Sequence, residues 1–332
     1  MARPPIELHR GALRVTGSSL LLDASRRAEC GFVSHAHGDH LGRHARTIAT
    51  APTLSLLHHR LGVPRRAGRS EDLPAAYRQP FGLGALTLEL FPAGHVLGSA
   101  QLRVTLEDGR VLGYTGDLCT DTPHAAEPAQ VVPCDVLVLE STFGEPRYAF
   151  PPKAETLAAI RRFVDDALSD GATPVLLGYA LGKAQEILAH LGGAGYACRA
   201  HPTVHAVNRI YQAHGVALPG VRPLEAGAAV AGEVVVAPPQ LAWSPALRGV
   251  RRRRTAILTG WAIEGARRFR GVDAAFPLSD HADFPALLAY ARSTGAGRVF
   301  TVHGAVDALA AALRREGIRA EPLREQGQLE LL

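Results

Sequence analysis

Four side chains that bind metal ions well stand within one short run, FVSHAHGDH at residues 32–40. They are His35, His37, Asp39 and His40. The apolar residues before them predict a buried strand, and Gly38 predicts a turn at its end. His35 and His37 point to the same side of an extended segment and can share one metal ion, whereas Asp39 and His40 can reach a second. Imidazole and carboxylate donors suit zinc, manganese or iron, so the run predicts a metal site rather than a polar turn with surface histidines.

This H-x-H-x-D-H motif resembles the signature of the metallo-β-lactamase fold. The resemblance implies further site residues, each at the end of a strand. Asp23 in LLLDAS is expected in a supporting position. The other expected metal ligands are His95 in AGHVLGSAQ, Asp117 in GYTGD and His303 in FTVHG, with Asp117 placed to bridge two metals. The resemblance therefore implies a centre with two divalent metal ions, Zn or Mn.

Two later strings resemble motifs of the β-CASP nucleases within this fold. Glu140 in LVLESTFG stands at motif A, His281 in PLSDHADF at motif B with Asp280 supporting it, and His303 at motif C. A histidine held by a carboxylate can donate a proton to a leaving oxygen, and Asp39 can orient the attacking water. The alternatives are a solvated strand-end acid for Glu140 and a residue among helix-capping side chains for His281.

The closest resemblance among β-CASP enzymes is to the bacterial ligase-associated DNA exonucleases, relatives of the DNA cross-link repair nucleases. The strings that carry it are AGHVLGSAQ, ESTFGEPRY, YALGKAQE, LTGWA and LSDHADF. It implies a DNA-repair exonuclease acting on 5′ ends of single-stranded DNA, in association with an ATP-dependent DNA ligase and a helicase. His303 is commoner in RNA-directed members, so an RNA-processing nuclease of the RNase J or 3′-end-processing type is the alternative. A small-molecule metallohydrolase and a non-catalytic nucleic-acid binder are further alternatives.

The elements that must position these residues change character along the chain. Before Pro151-Pro152 the sequence predicts short strands, such as 86–91, 101–109, 110–116 and 135–140. After it, helices alternate with apolar strands, which favours a parallel sheet. With the resemblance, we expect an α/β protein: a four-layer αβ/βα metallo-β-lactamase sandwich from residues 1–145 and 276–332. A β-CASP α/β domain, residues 146–275, is inserted into it.

Several residues outside the metal motif are candidates for nucleic-acid contact. Lys183 is one of only two lysines and follows a Gly-containing loop at a predicted helix start, where phosphate can bind, with Tyr179 nearby for base stacking. Lys183 could instead be an ordinary solvated helix residue. Trp261 follows a predicted strand and could stack a base. The remaining candidates are Ser141, Arg251 and Arg267.

Composition narrows the class of protein. The 332 residues are 47% hydrophobic and 20% charged, which excludes wholesale disorder. The net charge of +5 permits a polyanionic partner but does not require one. Four scattered cysteines form no CxxC pair, which is typical of buried thiols in a reducing compartment. No apolar stretch predicts a membrane span or a signal peptide, so we expect a cytoplasmic protein.

Overall fold

The computed structural model describes residues 4–62, 71–227 and 230–324. The chain divides into two compact units. Unit 1 consists of Met1–Thr120, Glu127–Ala149 and His281–Leu332, and unit 2 of Asp121–Ala126 and Phe150–Asp280. These junctions lie a few residues from the bounds expected from the sequence, and the segment Asp121–Ala126 belongs to unit 2 rather than unit 1. In the described residues, no helix is long and apolar enough to cross a membrane.

Unit 1 begins with a six-stranded sheet whose strands follow one another in space as in sequence. They are β1 (Ile6–His9), β2 (Ala12–Val15), β3 (Leu20–Leu22), β4 (Cys30–Phe32), β5 (Arg46–Ala49) and β6 (Glu71–Pro74). The strands from β3 onward are parallel, so the loops after β3 and β4 leave the same edge of the sheet. Helix α1 (Ala51–Leu61) begins at Thr50, whose hydroxyl accepts from the Thr53 amide.

The second sheet of unit 1 starts as an antiparallel meander. Its first strands are β7 (Phe81–Leu83), β8 (Leu86–Pro92), β9 (Ala100–Thr105), β10 (Val111–Tyr114) and β11 (Val136–Ser141). Strands β10 and β11 are parallel, which brings their carboxyl ends to one edge. Asp117 and Glu140 lie at or just beyond those ends.

Unit 2 is a parallel α/β sheet, as the alternating pattern predicts. In chain order its elements are α2 (Lys153–Ser169), β12 (Thr173–Leu177), α3 (Lys183–Gly193), β13 (Cys198–Ala200), α4 (Pro202–Ala213), β14 (Val221–Pro223), β15 (Val234–Ala237), β16 (Arg253–Leu258) and β17 (Ala274–Phe276). The sheet order is β14-β13-β15-β12-β16-β17. Strands β12 and β15 are buried along their whole length, which explains their continuous apolar sequence.

The chain then returns to unit 1 and completes the second sheet. The last elements are α5 (Phe284–Ser293), β18 (Arg298–Gly304), α6 (Val306–Arg315) and β19 (Ala320–Pro322). Strand β18 pairs in parallel with β11. Side chains along β11 alternate between the two faces of the second sheet. Val136 and Val138 pack in the core between the two sheets, whereas Leu137 and Leu139 pack against α5 and α6. The predicted α/β sandwich is confirmed.

Candidate metal centre

One group of donor atoms comes from the loops after three strands of unit 1. His35 and His37 follow β4, His95 follows β8 and Asp117 follows β10. Nδ1 of His37 lies 3.1 Å from Nε2 of His35 and 3.0 Å from Nε2 of His95. Oδ2 of Asp117 lies 3.3 Å from Nε2 of His35 and 3.6 Å from Nε2 of His95. Three imidazole nitrogens and one carboxylate oxygen that converge in this way fit a divalent metal ion.

A second group of donor atoms lies on the other side of Asp117. Oδ1 of this aspartate is 3.5 Å from Nε2 of His40, and Oδ2 of Asp39 is 3.6 Å from the same nitrogen. The Asp39 side chain is 81% exposed. The His303 ring lies 5.6 Å from the His40 ring, measured between centroids. Asp117 thus presents one oxygen to each group, although the second group is more open than the first.

The Asp23 carboxylate is occupied by hydrogen bonds to residues of the centre and of the strands beside it. It accepts from the backbone amide and the hydroxyl of Ser34, from the Tyr114 hydroxyl at 2.7 Å, and faces Nδ1 of His40 at 2.9 Å. A proton on that Nδ1 directs Nε2 of His40 toward Asp117. Carboxylate partners of this kind orient metal-binding imidazoles, which agrees with the supporting position expected for Asp23.

Burial and neighbouring charges shift the pKa values of the centre strongly. Burial alone would lower the pKa of His40, but Asp23, Asp117 and Asp39 outweigh it and raise the pKa to about 10. Burial and the neighbouring imidazoles hold the pKa of His35 well below its ordinary value. Burial raises the pKa of Asp117, although His281 and His40 act in the opposite direction. The charges here are strongly interdependent, as expected where a cation is to be bound.

Glu140 and His281 form a pair beside the same aspartate. The Glu140 carboxylate is fully buried, accepts from the Leu118 and Thr142 amides, and lies 3.0 Å from Nδ1 of His281. Burial alone would raise the pKa of Glu140, but His281 and these hydrogen bonds outweigh it and lower the pKa. Nε2 of His281 is 3.9 Å from Oδ2 of Asp117. The structure therefore brings the two sequence-predicted catalytic residues together.

Two glycines allow the chain to approach the centre closely. Gly116 has φ +53°, and a Cβ there would lie 2.6 Å from Cβ of Ser34. Only glycine lets the chain turn tightly into Asp117 at this point. At the end of β18, His303 has φ +56° and Gly304 φ +71°. Asp23 also has a positive φ, of 46°. Non-glycine residues in this region cluster at functional sites.

The structure places Ser141, a sequence-based candidate for nucleic-acid contact, inside the fold. Ser141 is the last residue of β11, and its side chain is fully buried. Its hydroxyl donates to the Val302 carbonyl at 3.0 Å and also contacts that of His303. Adjacent side chains of a strand point to opposite faces of the sheet, so Ser141 and Glu140 face opposite sides. Its role is to join β11 to the end of β18.

Lys183 lies in a buried ion pair of unit 2 rather than on a free phosphate-binding surface. Its Nζ is 2.8 Å from Oδ2 of Asp280, and the two side chains are only 5% and 6% exposed. The Tyr179 ring, 55% exposed as a residue, lies 5.7 Å from the same Nζ. Asp280 directly precedes His281 in the chain. Lys183 and Asp280 are therefore better placed to fix the backbone before His281 than to bind a strand.

The other candidates for nucleic-acid contact, Trp261, Arg267 and Arg251, belong to unit 2. Trp261 is half-buried in a short 3₁₀ helix, Gly260–Glu264, and the Arg268 guanidinium lies 5.8 Å from its ring. Arg267 is exposed in the next turn. Arg251 is exposed just before β16, in a run of arginines that continues into this strand.

Sequence reasoning missed a buried polar cluster in unit 2. The Glu186 carboxylate on α3 lies 2.7 Å from Nδ1 of His124 and 2.6 Å from Nζ of Lys153, and it accepts from the His124 amide at 2.8 Å. Burial alone would raise the pKa of Glu186, but these partners outweigh it and lower the pKa to about 2. Both lysines of the chain are thus paired with acids of unit 2. The sequence signal that could have pointed to these pairs is that the chain has only two lysines among its many arginines.

Comparison with known families matches residues 19–168 to the description "Beta-lactamase superfamily domain". That range contains the H-x-H-x-D-H motif, His95, Asp117 and Glu140. These residues are therefore similar to the superfamily expected from the motif. The chain has the metallo-β-lactamase fold, and the His/Asp cluster that fits a divalent metal ion lies within the matched range.

Three relatives illustrate what the chain is similar to. A protein of Opitutus terrae named "Probable DNA ligase" is 38% identical over 93% of this chain and 30% of its own length. An "RNase J-like protein" of Methanocaldococcus jannaschii is 28% identical over 47% of this chain and 42% of its own. An "Endoribonuclease ysh1" of Aspergillus fumigatus is 35% identical over 32% of this chain and 12% of its own. The chain thus matches less than half the length of each relative.

Proposed function

We propose that this chain is a metal-dependent nuclease that hydrolyses phosphodiester bonds of DNA, from 5′ ends of single strands, in DNA repair. The observation that carries the proposal is the position of Asp117. It faces His35 and His95 with one oxygen and His40 with the other, and it lies beside the Glu140–His281 pair. A carboxylate placed to bridge two metal ions, with a proton donor beside it, suits metal-assisted hydrolysis of a phosphodiester bond.

The donor set supports a centre of two divalent cations, Zn or Mn. The first would be held by His35, His37, His95 and Asp117, and the second by Asp117, His40, Asp39 and His303. When bound there, such ions would supply a nucleophilic hydroxide at neutral pH and would neutralise charge on the scissile phosphate. The His303 ring lies 5.6 Å from the His40 ring between centroids, and its side chain is exposed.

The residues of the chain supply the proton transfers. Asp39, exposed beside His40, accepts a hydrogen bond from the attacking water and orients it. The water oxygen bonds to phosphorus as the bond from phosphorus to the 3′ oxygen breaks. Nδ1–H of His281 is held by Glu140, so Nε2 is the atom that donates a proton to the leaving 3′ oxygen. The product strand retains a 5′ phosphate.

The relatives support a nucleic-acid substrate. A segment similar to 93% of this chain forms part of a protein named as a probable DNA ligase, which favours DNA and an association with ligation. Unit 2 interrupts unit 1 between Ala149 and His281, which is the position of a β-CASP insertion. An ATP-dependent DNA ligase and a helicase are the proposed partners. RNA is the second candidate substrate, supported by His303 and by the relatives named RNase J-like and endoribonuclease.

The test is a time course with the purified chain, Zn or Mn, and 5′-labelled or 3′-labelled single strands of DNA and RNA of equal sequence. We expect immediate release of labelled mononucleotide from the 5′-labelled DNA. Asp39→Ala and Asp117→Ala should be inactive, whereas Asp121→Ala, which removes an exposed carboxylate, should not be. Cleavage of RNA alone would transfer the proposal to RNA. Turnover of a chromogenic ester without action on either strand would replace it with a small-molecule hydrolase.

A further inference from the structure

Unit 2 carries an exposed aromatic and basic surface that the proposed chemistry does not use. Trp243 is 74% exposed and lies in the connection between β15 and β16. The Arg253 guanidinium stacks on its ring at 4.2 Å from the centroid, and its Nη1 donates to the Ala242 carbonyl at 3.1 Å. The ring and the guanidinium thus form one planar platform on the surface.

The chain segment that carries this platform has charged side chains of one sign only. Residues 234–263 contain five arginines and no acidic residue. Arg254 lies 3.4 Å from Asp170 and stacks on Phe163. Arg248, Arg251 and Arg252 are exposed, and within the described ranges none of their guanidinium groups has an acidic partner. All three lie in the same connection between β15 and β16 as Trp243, where an anionic ligand would neutralise them.

The platform lies at the amino edge of the unit 2 sheet. Arg253 is the first residue of β16 and is aligned with Thr173, the first residue of β12. The stacking candidates Tyr179 and Trp261 follow the carboxyl ends of the same two strands. Trp243 and its arginines thus form a surface separate from those candidates within unit 2. It is not part of the metal centre, whose residues all belong to unit 1.

We propose that Trp243, Arg253 and the exposed Arg248, Arg251 and Arg252 form an accessory binding surface for single-stranded nucleic acid. A base stacks on the platform, and the neighbouring guanidinium groups bind the phosphates on either side of it. Stacking on an aromatic ring together with backbone neutralisation is how single strands are bound without sequence preference. An exposed tryptophan favours this ligand over an acidic peptide, which needs the charges alone. The inference rests on the proposed function in that both require a nucleic-acid ligand.

The chain offers a direct probe because it has only two tryptophans, Trp243 and Trp261. In metal-loaded His281→Ala/Trp261→Phe, the fluorescence comes from Trp243 alone and the strand remains uncleaved. We expect an unlabelled thymidine oligonucleotide to quench this emission on binding. In the His281→Ala background, Trp243→Ala should weaken binding about tenfold, within the range of one stacked base. Arg251→Ala/Arg252→Ala should make the slope of log K against log salt shallower by about 1.4.

The matched control is Arg315→Ala, which removes an exposed arginine of α6 in unit 1 and should leave the slope unchanged. Unquenched Trp243 emission together with unchanged affinity would overturn the proposal, even if the wild-type chain cleaves the strand. If the oligonucleotide quenches the Trp243 emission but the wild-type chain cleaves no nucleic acid, the proposed binding surface is upheld and the proposed function is rejected. Binding of polyglutamate in preference to the oligonucleotide would overturn the proposal in favour of an acidic protein partner.

Discussion

The Glu140 carboxylate lies 3.0 Å from Nδ1 of His281, although 141 residues separate them in the chain. Glu140 is fixed within β11 and is completely buried, and the Leu118 and Thr142 amides hold its two oxygens. His281 is the first residue of unit 1 after the long excursion through unit 2. The pair therefore assembles only when the chain has returned, and Glu140 then sets which ring nitrogen faces Asp117.

Substitutions in this pair should slow the chemical step more than they change binding or metal content. We expect His281→Ala to lower the single-turnover rate on a single strand about a thousandfold, since a positioned proton donor contributes about 10²–10⁴. Glu140→Gln should lower it about a hundredfold, and the double variant little further, because the two act as a unit. Glu155→Gln, an exposed acid on α2, is the control. A rate unchanged in His281→Ala, with metal still bound, would remove the histidine from the mechanism.

A substitution at Gly304 tests the close approach between the end of β18 and the backbone of Ser141. A Cβ at this residue would lie 2.4 Å from the Ser141 carbonyl oxygen, and φ is +71°. Gly295 has the same φ with nothing within 4 Å of its Cβ position, which makes Gly295→Ala the matched control. We expect Gly295→Ala to cost about 1 kcal/mol of unfolding free energy and Gly304→Ala about 3 kcal/mol, measured in urea. Gly304→Ala should also displace His303 and lower metal stoichiometry; equal costs for the two variants would contradict the close approach.

The local part of the centre could be predicted because its residues are adjacent in sequence. His35, His37 and His40 follow one strand, and their spacing alone indicates a metal site. The partners that hold them could not be found in this way. Tyr114 reaches Asp23 across 91 residues, a contact that depends on how the two sheets pack.

The same limit applies to unit 2. A lysine at a helix start after a glycine loop predicts a phosphate contact, but the Asp280 that neutralises Lys183 lies 97 residues away. Trp243 is 74% exposed, although tryptophan is mostly buried on average. Its exposure follows from the short 3₁₀ turns that flank it, which no hydrophobic periodicity reveals.

The ion pair between Lys183 and Asp280 should act on stability and not on phosphate binding. Lys183→Met leaves a buried carboxylate without its cation, so we expect a loss of about 3 kcal/mol in the free energy of unfolding. Lys183→Met/Asp280→Leu should recover most of that loss, because no unpaired charge remains buried. The salt dependence of strand binding should be the same in the wild type and in the double variant. A shallower slope in the double variant would instead show that Lys183 contacts phosphate.

Glu186 predicts how one part of unit 2 responds to acid. The folded-state pKa of its carboxyl is about 2, below the ordinary value of 4.5. A lowered carboxyl pKa stabilises the fold above the unfolded value, and the contribution is lost as the pH falls from about 4.5 toward 2. The shift corresponds to an upper value of about 3 kcal/mol at neutral pH.

Glu186→Gln removes this contribution while keeping the shape of the side chain. The difference in unfolding free energy between the wild type and this variant should be largest above pH 5 and should shrink steadily between pH 4.5 and pH 3. Urea titrations at each pH measure it, and Glu155→Gln on the exposed face of α2 should show almost no difference at any pH. A difference that stays constant down to pH 3 would mean that His124 and Lys153 do not stabilise the charged form of Glu186. The wild-type loss in acid would then have to come from other carboxylates, such as Glu233 between Arg199 and Arg222, whose pKa is also lowered because these hydrogen-bonded arginines outweigh burial.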